Sequence, residues 1–188
     1  MKVIEGSTRL AFLGFFLSHI PITLLVDSQG LFGPYYPKAL TGITAWYCNL
    51  SGDVLMKNAP STEYAWFSSV IGCEILFQVP FFVAAIKMIM AGRSNNRNES
   101  SQSQLQLQQI YPEWFRIACI IYGSHVSTTL VPIIATFIAS REMTIGQKCA
   151  TIAIYSPYLL FPVTLMWLAA KESFAEIKEG KKLEGKRE

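Results

Sequence analysis

The sequence has little charge, and almost none of it lies in four long stretches. Asp, Glu, Lys and Arg make up 15% of the 188 residues, whereas soluble globular domains contain about 25%. The four stretches are residues 10–26, 64–86, 117–140 and 149–170, and Glu74 is the only formally charged residue in them. This distribution excludes an ordinary soluble domain.

Each stretch has the length of roughly 17 to 25 residues that a helix needs to cross the apolar core of a membrane. The sequence therefore predicts an all-α membrane protein, a bundle of four transmembrane helices. We expect the membrane domain to occupy residues 1–172 and a charged cytosolic tail to occupy residues 173–188. The tail is expected to continue the fourth span as a helix and to fray beyond Gly180.

Cysteine is also scarce, and its spacing predicts no metal site. The four cysteines include no C-x-x-C pair, the spacing that is typical of structural metal sites and redox motifs. We expect no metal and no cofactor. Cys48 and Cys149 are predicted to lie on the same, non-cytosolic side of the membrane, where a disulfide is chemically feasible, but spacing does not decide whether they pair.

Lys and Arg are distributed unevenly between the two sides of the four spans. Twelve belong to the N-terminus, the connection between the second and third spans and the C-terminal tail, against four in the other two connections. Because basic residues accumulate on the cytosolic side, both termini are predicted to face the cytosol. Acidic residues are mixed into the same regions, so this basic side predicts contact with anionic membrane lipids and no binding of nucleic acid.

The connections between the spans differ in composition. The first, residues 28–63, is rich in aromatic and apolar residues, which predicts short helices at the membrane interface that pack over the bundle. The second contains residues 93–109, where Ser, Asn and Gln dominate, and is predicted to be a low-complexity cytosolic loop.

Every span contains proline, which removes a helical hydrogen bond and kinks or breaks the helix. The prolines are Pro21, Pro80, Pro132, Pro157 and Pro162. Four kinked helices around one axis predict a bundle that opens into a cavity accessible from the lipid. Proline is also common in membrane helices, so its presence is consistent with plain helix packing as well.

Polar side chains within the spans converge at one depth when positions are counted along ideal helices. At 1.5 Å per residue, His19 and Glu74 lie about 12 Å below the non-cytosolic ends of their spans. Tyr155 lies at about 9 Å, and Thr128 and Thr129 lie at roughly 15 to 18 Å. An ionisable group inside a span is a functional-site hypothesis by default, which makes this layer the predicted site.

Alternatives stay open for these residues. Glu74 is also consistent with a neutral, hydrogen-bonded structural carboxyl, and His19 with a group that packs between helices. Gln78 follows Glu74 by one turn on the same helix face. Asp27, at the end of the first span, and Asp53, in the first connection, would ordinarily be an interface residue and a loop acid.

Four segments resemble the sigma-two receptor group of the EXPERA-domain superfamily, which also contains the emopamil-binding sterol isomerase. They follow one another through all four spans: residues 15–33 (FFLSHIPITLLVDSQGLFG), 66–82 (WFSSVIGCEILFQVPFF), 122–137 (YGSHVSTTLVPIIATF) and 155–162 (YSPYLLFP). In such proteins a four-helix bundle encloses a pocket that opens to the bilayer and binds sterols or lipophilic amines. The Gln-rich insertion at residues 100–109 departs from the compact loop expected of that group.

The resemblance implies roles for individual residues. Asp27 is similar in position to the carboxylate that pairs with a ligand ammonium, and Asp53 to a second acid that supports it. Glu74 and Gln78 correspond to the polar face of the pocket. We also assign His19 to the site, because it lies at the same depth as Glu74. The other residues expected on the cavity wall are Phe16, Ile22, Phe77, Phe81, Tyr122, Thr129, Val131 and Tyr155.

The leading functional interpretation is binding. The resemblance implies an endoplasmic-reticulum membrane protein that binds sterols and lipophilic cationic amines and acts in cholesterol homeostasis, with the nuclear envelope or lysosomal membrane as further locations. Its expected partners are membrane lipids and a Niemann-Pick-type cholesterol transporter, and homodimer formation is left open.

Two other functions remain as alternatives. One is a sterol double-bond isomerase, in which Glu74 with His19 or Asp27 would transfer the protons. The other is a membrane chaperone or tether that assists protein delivery to mitochondria. Against the isomerase, the enzymes that the chain resembles have an additional span.

Overall fold

The computed structural model describes Ile4, residues 6–94 and residues 111–184. Within these ranges the chain is helical and has no strand, and four helical segments are long and apolar enough to cross a membrane. They are Gly6–Tyr35, Thr62–Ala91, Glu113–Ala139 and Ile145–Phe174. The predicted bundle of four transmembrane helices is confirmed, and each segment extends beyond the predicted span at one or both ends.

The spans are assembled from α-helices with two short π-helical segments, named π1 and π2. In chain order the elements are α1 (Gly6–Ile22), π1 (Thr23–Asp27), α2 (Gln29–Phe32), α3 (Lys38–Ser51), α4 (Val54–Asn58), α5 (Ala65–Cys73), π2 (Glu74–Gln78), α6 (Val79–Ser94), α7 (Glu113–Ala139) and α8 (Ile145–Glu184). Turns of 3₁₀-helix occupy Gly33–Tyr35 and Thr62–Tyr64.

Both π-helical segments lie beside a proline. Pro21 precedes π1, and Pro80 follows π2, so the hydrogen bond that each proline cannot donate coincides with a local change of helix type. The two segments contact each other across the bundle. The remaining span prolines lie inside α7 and α8, which stay α-helical throughout. Proline therefore marks a departure from α-helix in the first two spans only.

The connection between the first two spans is folded into short helices, as its aromatic composition predicted. The longest, α3, contacts α8 and ends at Gly52, whose φ of +72° favours glycine. A Cβ atom at Gly52 would also lie 2.8 Å from Cδ of Gln147 at the start of α8. This close approach holds α3 over one end of the bundle, called here the α3 end.

Away from the α3 end, aromatic rings fill the space between the spans. Phe15 stacks on Phe161 with ring centroids 4.5 Å apart, and Phe81 stacks on Tyr122 at 4.3 Å. Phe16, in contact with both pairs, is fully buried. The rings close this side of the bundle, and the open volume lies between them and α3.

The third and fourth spans form a closely packed hairpin. At Gly123 of α7, a Cβ atom would lie 2.5 Å from Cβ of Met166 and 2.7 Å from the carbonyl oxygen of Pro162. Only glycine permits this approach between α7 and α8. Residues of both helices line the cavity described below, among them Val126 of α7 and Tyr155 of α8.

Other predictions for the connections have mixed outcomes. The helix of the fourth span continues into the tail, and it runs past Gly180 to Glu184. Cys48 is buried and Cys149 is exposed, and both are free thiols, so the disulfide left open by the sequence is not formed. The predicted low-complexity loop at residues 93–109 lies outside the described residues, apart from the end of α6.

Candidate ligand-binding site

A cavity of about 320 Å³ lies between the four spans and α3. This volume is at the lower end of the range of small-molecule sites, and such sites are mostly apolar with a few polar groups. The polar residues on the wall are His19, Asp27, Thr44, Tyr47, Glu74, Gln78, Thr129, Tyr155 and Tyr158. The apolar residues are Ile22, Val26, Ile43, Met56, Phe67, Val70, Ile71, Val126, Leu130, Ile133 and Ile154.

The structure brings together six of the seven residues assigned to ligand binding. Those on the cavity wall are His19, Asp27, Glu74, Gln78, Thr129 and Tyr155. Asp53, the seventh, does not line the cavity. The residues come from all four spans, so the predicted layer exists as a shared surface.

The most tightly connected group joins the first two spans. The Thr23 hydroxyl, fully buried, donates a hydrogen bond of 2.6 Å to Oε1 of Glu74. Nε2 of His19 lies 3.2 Å from the same oxygen. The imidazole is held between the rings of Phe82 and Tyr158, each with its centroid 4.6 Å away. Thr23 and Glu74 belong to the facing segments π1 and π2, which place this polar group on the wall.

Asp27, the last residue of π1, is half-buried and faces the cavity. Among the described residues its carboxyl group has neither a hydrogen bond nor an ion pair. Ligating atoms of Asp27, Glu74 and His19 all lie within 4.8 Å of one another. Two carboxyl groups this close are stable together when a proton or a cation lies between them. The site is therefore suited to a positively charged group.

Asp53 lies behind the cavity wall and not on it. It is fully buried and caps α4, accepting hydrogen bonds of 3.0 Å from the backbone N–H groups of Leu55 and Met56. Its other oxygen accepts from the hydroxyls of Tyr47 at 3.0 Å and Tyr155 at 2.9 Å. Asp53 thus accepts hydrogen bonds from two tyrosines of the cavity wall. The acid that lies beside Asp27 is Glu74.

The tyrosine hydroxyls serve as donors in this arrangement. Burial raises the pKa of the Tyr47 hydroxyl well above its ordinary value, and the neighbouring Asp53 raises it further. Tyr47 therefore keeps its proton and continues to donate to Asp53.

Several residues expected on the wall lie elsewhere, and that part of the prediction was wrong. Phe77 and Val131 are exposed on the outer surface of the bundle, 66% and 67% accessible. Thr128 is exposed as well, with its hydroxyl donated to the carbonyl of Ser124. The others pack in the aromatic cluster that closes the cavity: Phe16, Phe81 and Tyr122. The number of residues along a helix determines the depth of a side chain in the membrane. It does not determine which way the side chain points around the helix axis.

The contribution of α3 to the wall was not predicted from the sequence. Thr44 and Tyr47 line the cavity, and Cys48 and Ser51 are buried on the same helix face. Their spacing of three and four residues is that of one face of a helix, so the signal was present in the first connection. Tyr158, one turn after Tyr155, was missed in the same way.

Comparison with known proteins identifies what the chain is similar to. Residues 39–169 match the model of the EXPERA family, the expanded EBP superfamily. The chain is 31% identical to sigma intracellular receptor 2 of Homo sapiens over 180 residues, covering 89% of this chain and 90% of that protein. It is 34% identical to the protein of the same name in Xenopus tropicalis over 175 residues, covering 88% and 90%.

A more distant relative is found in yeast. The chain is 26% identical over 167 residues to efficient mitochondria targeting-associated protein 19 of Saccharomyces cerevisiae, covering 84% of this chain and 94% of the yeast protein. In each case the similarity extends over nearly the whole length of both chains.

Proposed function

The chain belongs to the EXPERA family of membrane proteins, and from this premise we propose that it binds lipophilic amines and sterols in the cavity between its spans. The observation that carries the proposal is the carboxyl group of Asp27, which faces an apolar cavity without a partner among the described residues. A charged group inside a membrane span is costly unless it is paired, and a ligand ammonium supplies the missing partner.

The remaining wall suits the apolar body of such a ligand. Side chains such as Ile22, Val126 and Ile133 offer it a dry surface. The attraction between the ammonium and Asp27 is stronger there than in water, because few solvent dipoles screen it. A neutral sterol needs only a hydrogen-bond partner for its hydroxyl, and the side chains of Gln78 and Thr129 are available on the wall.

We extend the proposal to the cellular setting. The excess of Lys and Arg on one side of the spans supports cytosolic termini. Similarity to sigma intracellular receptor 2 supports an endoplasmic-reticulum protein that acts in cholesterol homeostasis, with a Niemann-Pick-type cholesterol transporter as its partner.

The amine site is tested by Asp27→Asn, which keeps the shape of the side chain and removes its charge. Loss of one partner of a buried charge pair costs about 2 to 5 kcal/mol, so affinity for a radiolabelled lipophilic amine should fall roughly 30-fold to several thousand-fold. Affinity for a neutral sterol should change much less. The two ligands are measured on the same purified protein in lipid nanodiscs.

Glu142→Gln is the matched control, since Glu142 is exposed and pairs with Lys57 at 3.8 Å outside the cavity. It should leave both affinities unchanged. Equal losses for amine and sterol in Asp27→Asn would show that Asp27 supports the fold, and unchanged amine binding would remove it from the site.

The pair formed by His19 and Glu74, 3.2 Å apart on the cavity wall, favours a second candidate. A histidine and a carboxyl group within reach of a bound sterol have the chemistry of a general acid and base, which a double-bond isomerase requires. Isomerisation of a sterol by the purified protein, lost in Glu74→Gln, would establish catalysis in place of binding.

Similarity to efficient mitochondria targeting-associated protein 19 of yeast supports a third candidate, a membrane chaperone or tether that assists protein delivery to mitochondria. Such a role would depend on the loops and the tail and not on the cavity. If protein delivery to mitochondria is unaffected by Asp27→Asn, the chaperone role is independent of the ligand site.

A further inference from the structure

Three metal-ligating side chains from the first two spans meet on the cavity wall. Nε2 of His19 and Oε1 of Glu74 are 3.2 Å apart, and with a carboxyl oxygen of Asp27 they form a group whose atoms all lie within 4.8 Å of one another. The spacing of cysteines led us to expect no metal, and none of these three residues is a cysteine.

The spacing fits the coordination shell of zinc. Bonds of about 2.0 to 2.2 Å in a tetrahedral arrangement place neighbouring ligand atoms roughly 3.3 Å apart. The distance between His19 and Glu74 already has this value. Asp27 needs only a small movement of its side chain, because no hydrogen bond within the described part of the chain holds it in place.

The types of ligand select among the divalent cations. Calcium takes six to eight oxygen ligands and magnesium six in octahedral geometry, so three protein groups that include an imidazole suit neither. Imidazole nitrogen with carboxylate oxygen is a set that zinc accepts. Two carboxylates also balance the charge of a divalent ion, which lowers the cost of burying it in a membrane.

A further observation concerns the groups around the ligands. The Thr23 hydroxyl donates to Glu74 and orients its carboxyl group, as residues behind a metal ligand commonly do. The nitrogen of His19 that faces Glu74 is Nε2. Nδ1 is buried and has no hydrogen-bond partner in the described part of the chain, and it would carry the proton of the ring when Nε2 binds an ion.

We propose that His19, Asp27 and Glu74 bind a zinc ion at the wall of the cavity. With three protein ligands, the fourth coordination position stays open to the cavity, whereas structural zinc sites use four protein ligands. Zinc on Asp27 and a ligand ammonium at Asp27 exclude each other, so zinc competes with amines and leaves neutral sterols bound. The competition rests on the proposed amine site, whereas zinc binding itself does not.

Zinc binding is measured on full-length protein purified without a polyhistidine tag and stripped with a chelator. Titration with zinc against a chromogenic indicator should give one site per chain, and cobalt in place of zinc should give the visible absorption of tetrahedral coordination. His19→Gln and Asp27→Asn should each weaken binding more than about tenfold, since even residues behind the ligands contribute that much.

The chain offers a matched control, because its other histidine, His125, lies on α7 and does not line the cavity. His125→Gln should bind zinc as the unmodified protein does. X-ray absorption of the zinc complex should show nitrogen and oxygen ligands without sulfur, which separates this site from the exposed Cys149.

The competition is measured with a radiolabelled amine. Saturating zinc should raise the apparent dissociation constant of the amine and leave that of a neutral sterol unchanged. Amine binding in the presence of the chelator tests the proposed function separately. If His19→Gln does not fold, Asp27→Asn and the absorption spectra still decide the ligand set.

Other results would overturn the proposal. The absence of stoichiometric zinc binding, sulfur in the coordination shell, or equal zinc affinity in His19→Gln and His125→Gln would exclude the site. Zinc that binds at these residues without affecting the amine would exclude the competition.

Discussion

Single residues determine what the cavity can bind, and the two aspartates illustrate how differently the same side chain is used. Asp27 faces the cavity and has no partner among the described residues, whereas each oxygen of Asp53 accepts two hydrogen bonds. A carboxyl group that is saturated with donors has little capacity left for a ligand. The residue available to a cation is therefore Asp27.

Cys48 provides a prediction at this scale that depends on pH. Burial raises the pKa of the Cys48 thiol to about 11, and the neighbouring Asp53 adds to this effect. Only the thiolate reacts with alkylating reagents. In a variant that retains Cys48 alone, labelling should be slow at pH 7 and should accelerate about tenfold per pH unit up to pH 10.

The control is a variant that retains only Cys149, which is exposed and should react much faster at pH 7. Labelling of Cys48 that levels off near pH 8.5, as for an ordinary thiol, would show that the residue is not held in the environment described.

At the scale of elements, Asp53 ties three helices together. It caps α4 and accepts from Tyr47 of α3 and Tyr155 of α8. The Ser51 carbonyl, at the end of α3, also accepts from Thr151 of α8 at 2.8 Å. These bonds hold α3 in place as the wall of the cavity at the α3 end of the bundle.

We expect Asp53→Asn to lower stability more than ligand affinity. Asparagine caps a helix about as well as aspartate, but its amide can no longer accept from all four donors, and a buried donor without a partner costs about 1 to 3 kcal/mol. Thermal unfolding in nanodiscs measures the loss. Tyr155→Phe, which removes one of the four bonds, should have a smaller effect.

The opposite pattern would assign Asp53 a different role. If Asp53→Asn unfolds like the unmodified protein and loses amine affinity as strongly as Asp27→Asn, then Asp53 contacts the ligand directly.

At the scale of the whole molecule, orientation in the membrane decides which compartment the α3 end faces. The count of Lys and Arg predicts that this end lies opposite the cytosol. A single cysteine introduced at Gln104, in the connection between α6 and α7, should be labelled from the cytosol by an impermeant reagent. A cysteine at Glu142, between α7 and α8, should be labelled only after the internal membrane is permeabilised. The reverse pattern would invert the orientation.

The sequence by itself determined the class of the molecule. Four stretches nearly free of charge can only be accommodated by a membrane, because apolar length and the absence of charge act locally along the chain. The same reasoning found the depth of the polar layer, since the rise of a helix is fixed. His19, Glu74, Gln78, Thr129 and Tyr155 were thereby placed near one another before their neighbours were known.

The tertiary structure decided which residues touch. The segments π1 and π2 change the helical period beside Pro21 and Pro80, and a change of period rotates every side chain that follows it. This is one reason why Phe77, assigned to the wall by position, faces outward. Whether Asp27 lies beside Asp53 or Glu74 depends on how separate helices pack. The distance between these carboxyl groups cannot be predicted from the residues near Asp27 in the sequence.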